Sequence, residues 1–334
     1  MHLNKRFVVA GLVAVVASAA VVGGFIVKSS LVKPSVAPLE PYRVTVEHEF
    51  AIGDFVESVL VTGGRTYVAA VSPTGAAGAR VWIRNADGST RRIDGVGNNL
   101  AATPSGRVFA TTMNGQPTEP QTLELTLEEL IDGRAVRRAT FERGALINGL
   151  AFSDDDTLYA ADSLGGCIWQ WTAGSVKRWR VDPLFAPASL PGIPGINGLR
   201  VHDGALWTVN SSTGTVLRVP LDGSAVRVVA TGIPGDGFDI DGDGTLSIAT
   251  HPFNTIERLT SGGVRTTLGT SATGIFGPTD VQVLPDGDLL VLQDGGAFLS
   301  LLPPPIRLLF PDAPSGASAV LLRLHAPDGR DDAH

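Results

Sequence analysis

Short runs in which apolar and polar positions alternate follow one another along most of the chain, separated by Gly/Asp turns, as half-buried strands do. Six times an oxygen-bearing residue leads such a run. The copies are Glu57-Ser58-Val59-Leu60-Val61, Asn98-Asn99-Leu100, Asn148-Gly149-Leu150-Ala151-Phe152, Asn197-Gly198-Leu199-Arg200-Val201, Asp236-Gly237-Phe238-Asp239-Ile240 and Thr279-Asp280-Val281-Gln282-Val283. Each meets a turn such as His202-Asp203-Gly204 or Pro285-Asp286-Gly287, and then a second apolar strand such as Leu206-Trp207-Thr208-Val209. A third strand (Thr215-Val216-Leu217-Arg218-Val219) and a short fourth (Val226-Arg227-Val228-Val229) complete the unit. A strand-only repeat of about 40 to 50 residues is the pattern of an all-β, six-bladed β-propeller, one blade per copy.

The last copy runs out of chain after Ala319-Val320-Leu321-Leu322-Arg323-Leu324, while residues 42–48 alternate like a strand ahead of the first. The N-terminal strand is therefore expected to complete the sixth blade and close the ring over residues 42–328, with residues 329–334 a disordered tail. Residues 123–131 are the one stretch that reads as helical. Trp169, Trp171, Trp179 and Trp207 fall at strand positions and read as blade packing.

Residues 7–27 form an uncharged apolar run between Lys5-Arg6 and Lys28, long enough to span a bilayer. The run reads as an export signal retained as an N-terminal hydrophobic helix and anchor within residues 1–27; the alternative is cleavage near Ala17-Ser18-Ala19 and secretion. Residues 28–41, with Pro34, Pro38 and Pro41, read as a stiff linker. Cys167 is the only cysteine of the 334 residues, so an intrachain disulfide, a thiolate zinc cluster and an iron–sulfur site are excluded. A net charge of −7 offers nucleic acid no basic footprint.

If each leading residue starts the innermost strand of its blade, all six point into one central channel. Glu57, Asn148, Asn197 and Asp236 then supply two carboxylates and two amides, the hard oxygen set that suits Ca2+, with Mg2+, Mn2+ and Zn2+ as alternatives. Asn98 is a fifth candidate, as a peripheral ligand or substrate contact. Asn and Asp also suit turns, which accounts for Asn-Gly and Asp-Gly but not for Glu57. The loop His251-Pro252-Phe253-Asn254 is expected at the channel mouth. There His251 reads equally as a proton acceptor and as part of a simple turn, and Phe253 as a substrate contact. Asp239, Asp241, Asp243 and Gly244 imitate an EF-hand opening, but Thr250 stands where the closing Glu belongs. No Gly-x-Ser-x-Gly elbow, Walker loop or dinucleotide fingerprint occurs. The apolar insertion at residues 298–310 reads as a cap on the sixth blade or as a partner surface.

The segments LINGLAFSDDDTLYAADSLGGCIWQW, PGINGLRVHDGALWTVNSSTGTVLRV, GDGFDIDGDGTLSIATHPFNTIERL and GPTDVQVLPDGDLLVLQDGG resemble the senescence marker protein, gluconolactonase and luciferin-regenerating-enzyme family. Paraoxonases and strictosidine-synthase-like proteins are related propellers. The resemblance covers about residues 42–328 and implies a six-bladed propeller with one divalent metal in its channel, held at Glu57, Asn148, Asn197 and Asp236. It further implies hydrolysis of a small lactone or related cyclic ester, with Asp236 the proposed base. The competing expectation is a non-enzymatic exported propeller that binds a protein or glycan partner and keeps calcium as a staple.

Overall fold

A computed structural model of the chain describes residues 32–51, 54–71, 78–116, 119–172, 174–188, 194–251, 253–297 and 318–327. The apolar run 7–27, the insertion 298–310 and the tail 329–334 lie outside the described residues. Among the described residues no helix is long and apolar enough to cross a membrane.

After β1 (Arg43–Glu49), blade 1 comprises β2 (Phe55–Thr62), β3 (Arg65–Val71), β4 (Arg80–Arg84) and β5 (Thr90–Asp94). Blade 2 comprises β6 (Leu100–Ala102), β7 (Val108–Gln116), β8 (Glu119–Ile131) and β9 (Arg134–Thr140), and blade 3 β10 (Ile147–Phe152), β11 (Leu158–Asp162), β12 (Cys167–Thr172) and β13 (Ser175–Val181). Blade 4 is formed by β14 (Ile196–His202), β15 (Ala205–Asn210), β16 (Thr215–Pro220) and β17 (Arg227–Thr231). Blade 5 is formed by β18 (Phe238–Ile240), β19 (Leu246–Thr250), β20 (Thr255–Leu259) and β21 (Arg265–Gly269). Blade 6 takes β22 (Pro278–Val283), β23 (Leu289–Gln293) and β24 (Val320–His325), and its fourth strand is β1.

Each sheet is a four-stranded antiparallel meander, and the N-terminal strand closes the ring as expected, with Arg43 opposite His325 and Glu49 opposite Val320. This closure satisfies the edge that β24 would otherwise expose. The core is itself a ring, made of apolar clusters between neighbouring blades. Along β23, Leu290 and Leu292 pack toward blade 1 while Leu289 and Val291 pack toward blade 5, because successive side chains leave opposite faces of a strand.

One expectation changes. Residues 123–131 are not helical but lie within β8, where Leu123, Leu125 and Leu127 alternate into the core between blades 2 and 3. Among the alternating residues, buried Glu128 accepts from Thr112 and Thr126, and Glu129 accepts from Arg107 and Arg138, so tertiary pairing overrides local helix preference. From Ser35 onward the Pro-containing stretch is hydrogen-bonded to the ring. Ser35 N–H donates to Gly232 O, Glu40 N–H to Thr267 O, and Thr267 N–H to Pro38 O.

Candidate metal centre

The side chains that enter the channel do so at interruptions of the strand ladders. Register shifts fall between Val56 and Ser58, between Ile147 and Gly149, between Ile196 and Leu199, and between Pro278 and Asp280. Glu57, Asn148 and Asn197 lie in the first three of these gaps, and Asp236 directly precedes β18. An interruption of this kind re-aims one side chain out of the alternating pattern. Glu57, Asn148, Asn197 and Asp236 all line one narrow channel, together with Asn99, Arg200, Thr279 and Asp280.

The glycine that follows three of the four candidate ligands, Asn148, Asn197 and Asp236, has a packing reason. A Cβ on Gly149 would strike Asn197 O; one on Gly198 would lie 2.7 Å from Asp236 O, and one on Gly237 2.6 Å from Thr279 O. None of the three has a positive φ. Asn-Gly and Asp-Gly therefore mark the place where each inner strand presses on the next blade, not a turn. Gly198 N–H donates to Asp236 O at 3.0 Å and Gly237 N–H to Thr279 O at 2.8 Å. Where the equivalent residue has a side chain, that side chain makes the bridge. Asp280 accepts from Ser58 Oγ and Val59 N, Ser58 Oγ accepts from Leu100 N, and Asn99 Nδ2 donates to Ile147 O.

Asn98 is turned off the lining: its buried amide donates to Ile147 O at 3.1 Å, and its neighbour Asn99 lines the channel instead. Phe253 is half-buried in the loop after β19 and is not among the lining residues. His251 does reach the site. Its Nδ1 stands 3.6 Å from Asp236 Oδ2 and its Nε2 3.3 Å from Asp294 Oδ2. Phe55 of blade 1 meets the imidazole edge to face, with ring centroids 6.3 Å apart.

Sequence reasoning missed Asp294, Arg200 and the role of Asp280. Arg200 Nε lies 3.3 Å from Asp239 Oδ1 and its Nη2 3.4 Å from Asp280 Oδ1. The signal available for Asp294 was a charged residue directly after the buried strand LLVLQ.

Crowded carboxylates shift one another. Burial pushes Glu57 well above the usual carboxylate range, and the charges of Asp236, Asp280 and Asp294 push it further. Glu57 keeps part of its surface toward the channel, but the walls around it leave little water to solvate a charge. Burial raises Asp236 to about 7 against the pull of His251, and Asp280 and Asp294 add to the rise. Asp280 is raised to about 6, again by burial, with Arg200 and the Val59 and Val281 amides opposing. Burial works to lower the His251 value, but Asp294 and then Asp236 overcome it and leave it raised.

These donors fit a hard divalent cation. Two carboxylates and two amide groups converge, the carboxylates are short of positive charge, and Glu57 and Asn148 make no side-chain hydrogen bond to another described residue. Ser211 accepts from Asn197 Nδ2 at 3.1 Å and donates to Gly235 O, which fixes the Asn197 amide. Among the described residues no three His, Cys, Asp or Glu side chains are grouped as they would be around a metal, so a cation here must draw on the amides.

Comparison with known proteins agrees with the architecture. No curated protein matches the chain in sequence. Regucalcin, a calcium-binding protein from Agrobacterium tumefaciens, is 18% identical with a TM-score of 0.60, over 86% of this chain and 95% of that one. A glucose dehydrogenase is 15% identical with a TM-score of 0.55, over 85% and 99%. Virginiamycin B lyase from Staphylococcus aureus is 11% identical with a TM-score of 0.52, over 85% and 100%. At such identities the likeness speaks to the fold alone. Residues 59–236, which carry three of the four candidate ligands, match the SMP-30/Gluconolactonase/LRE-like region model, and the chain belongs to that family.

Proposed function

We propose that the protein is a metal-dependent hydrolase of lactones or related cyclic esters, with calcium in the channel and Mg2+, Mn2+ or Zn2+ as alternatives. The observation that carries this reading is the convergence of Glu57, Asn148, Asn197 and Asp236, from four different blades, on one channel. Family membership and the calcium-binding regucalcin support it. A divalent cation held by those four residues would polarise the ester carbonyl and make water acidic enough to react near neutral pH.

The chain's own groups account for the proton. Asp236 Oδ2 accepts it as water attacks the carbonyl carbon, and returns it to the ring oxygen when the C–O bond breaks, so one lactone and one water give one hydroxy acid. Burial, which raises Asp236 to about 7, suits both halves of that exchange. His251 stands behind this oxygen, and Asn99 and Thr279 offer polar contacts from the wall. In this reading the protein is exported and held at a membrane by residues 7–27, or secreted if that run is removed.

The test is turnover of a panel of lactones and aryl esters by the purified protein, before and after chelation and again after calcium is restored. Hydrolysis that disappears with chelation and returns with calcium is expected. Calcium binding without turnover of any ester would replace this reading with that of a partner-binding propeller.

A further inference from the structure

We propose that His251 and Asp294 form a buttress that fixes the carboxylate of Asp236, so that divalent affinity depends on two residues that never touch the ion. The inference rests on the metal reading of the channel and extends it outward by one layer. His251 directly follows β19 and Asp294 directly follows β23, so they hold equivalent places in consecutive blades. The imidazole lies between Asp236 Oδ2 at 3.6 Å and Asp294 Oδ2 at 3.3 Å, with Phe55 against the ring at 6.3 Å between centroids. Asp294 is itself fixed: it is fully buried, its Oδ1 accepts from Gly296 N at 2.7 Å, and Gly277 leaves no space for a side chain beside it.

Blade 4 makes the same arrangement with different residues. Ser211 directly follows β15, at the place His251 holds in blade 5, and it is bonded to Asn197, the ligand of its own blade. Two blades therefore use one position, the residue after the second strand, to hold their own ligand. The physical reason is entropy. A carboxylate free to rotate must be ordered when the ion arrives, whereas one packed against an imidazole that is itself fixed has less freedom to lose. Outer partners of this kind are worth about 10- to 100-fold in metal affinity.

The experiment is calorimetric calcium titration of the chelated full-length protein at pH 8. His251→Ala and Asp294→Asn are each expected to weaken binding by about 10- to 100-fold. The double variant should be no weaker than His251→Ala alone, because Asp294 acts only through the imidazole. His251→Gln, which can still place an N–H group beside Asp236, should recover most of the loss. Glu257→Gln, which disturbs a buried ion pair with Arg265 elsewhere in blade 5, should lower the melting temperature and leave calcium affinity unchanged. Should His251→Ala fail to fold, His251→Gln against Asp294→Asn carries the comparison, since Asn at 294 keeps the acceptor for Gly296. Wild-type affinity in Asp294→Asn, or additive losses in the double variant, would overturn the buttress. Absence of calcium binding by wild type would instead remove the metal reading beneath it.

Discussion

Three residues beyond the ligand position, Arg200 of blade 4 and Asp239 of blade 5 meet at 3.3 Å, and the same guanidinium reaches Asp280 of blade 6 at 3.4 Å. Among the described residues, Glu57 and Asp236 have no arginine or lysine partner of their own: Arg200 is the one such residue in the described lining, and it pairs with Asp239 and Asp280. Three residues of strand amount to about 10 Å, so Asp236 and Asp239 belong to two different layers of blade 5. Asp239 is paired from within, accepting also from Gln282 and Val283 N, while Arg200 only opposes the burial that raises Asp280. The mouth layer depends on protons, on the His251 imidazole, or on a cation from solution. What sets the layer of Glu57 and Asp236 apart from that of Asp239 is the positive charge it lacks, beyond having acidic residues.

The largest effect should come from removing mouth carboxylates. Glu57→Ala and Asp236→Ala are each expected to weaken calcium binding by at least about 100-fold in a calorimetric titration, more than any neutral ligand would. Glu57→Gln should also raise the melting temperature of the chelated protein at pH 8, because it removes a charge that its neighbours repel. An unchanged or lower melting temperature would mean that the mouth layer carries no excess charge.

Arg200→Met should do the opposite, destabilising the chelated protein by leaving Asp239 and Asp280 unpaired. A fully buried pair would cost about 3 to 5 kcal/mol when broken, and the partial exposure of Arg200 reduces this to about 2 kcal/mol. Denaturant unfolding measures it. A loss below about 0.5 kcal/mol would show that the deeper layer does not depend on its arginine.

The smallest effect is the pH dependence. Glu57, Asp236 and Asp280 have folded values raised above their unfolded ones, so they hold extra protons in the folded state. Their contribution to stability is complete below about pH 4 and is lost as pH rises through their folded values, near 6 for Asp280 and near 7 for Asp236. The chelated protein should therefore lose a few degrees of melting temperature between about pH 5 and pH 8, and calcium should cancel the decline. A melting temperature that rises over this range without calcium would reverse the sign of the argument.

The fold was legible because its repeat is long-range in chain yet local in chemistry: each copy carries its own turns, its own alternation and its own leading residue. Ring closure followed from an unpaired strand at each end. The convergence of Glu57, Asn148, Asn197 and Asp236 on one channel was legible for the same reason. Less legible was whatever depends on contacts between copies. Which of Asn98 and Asn99 faces the channel is decided by a carbonyl of the next blade, Ile147 O, to which both amides donate. Asp294 meets His251 across a blade boundary, and no spacing along the chain announces it. Residues 123–131 misled because Leu and Glu there satisfy helical preference locally, while the period of two among Leu123, Leu125 and Leu127 is what the neighbouring blade reads.

The account stands most directly on calcium titration of the chelated wild-type protein at pH 8, followed by calorimetry and by the melting temperature in parallel. It predicts one site per chain, a higher melting temperature with calcium, and loss of both in Asp236→Ala but not in Arg200→Met. No heat and no thermal shift in wild type, or binding that survives Asp236→Ala and Glu57→Ala unchanged, would contradict it.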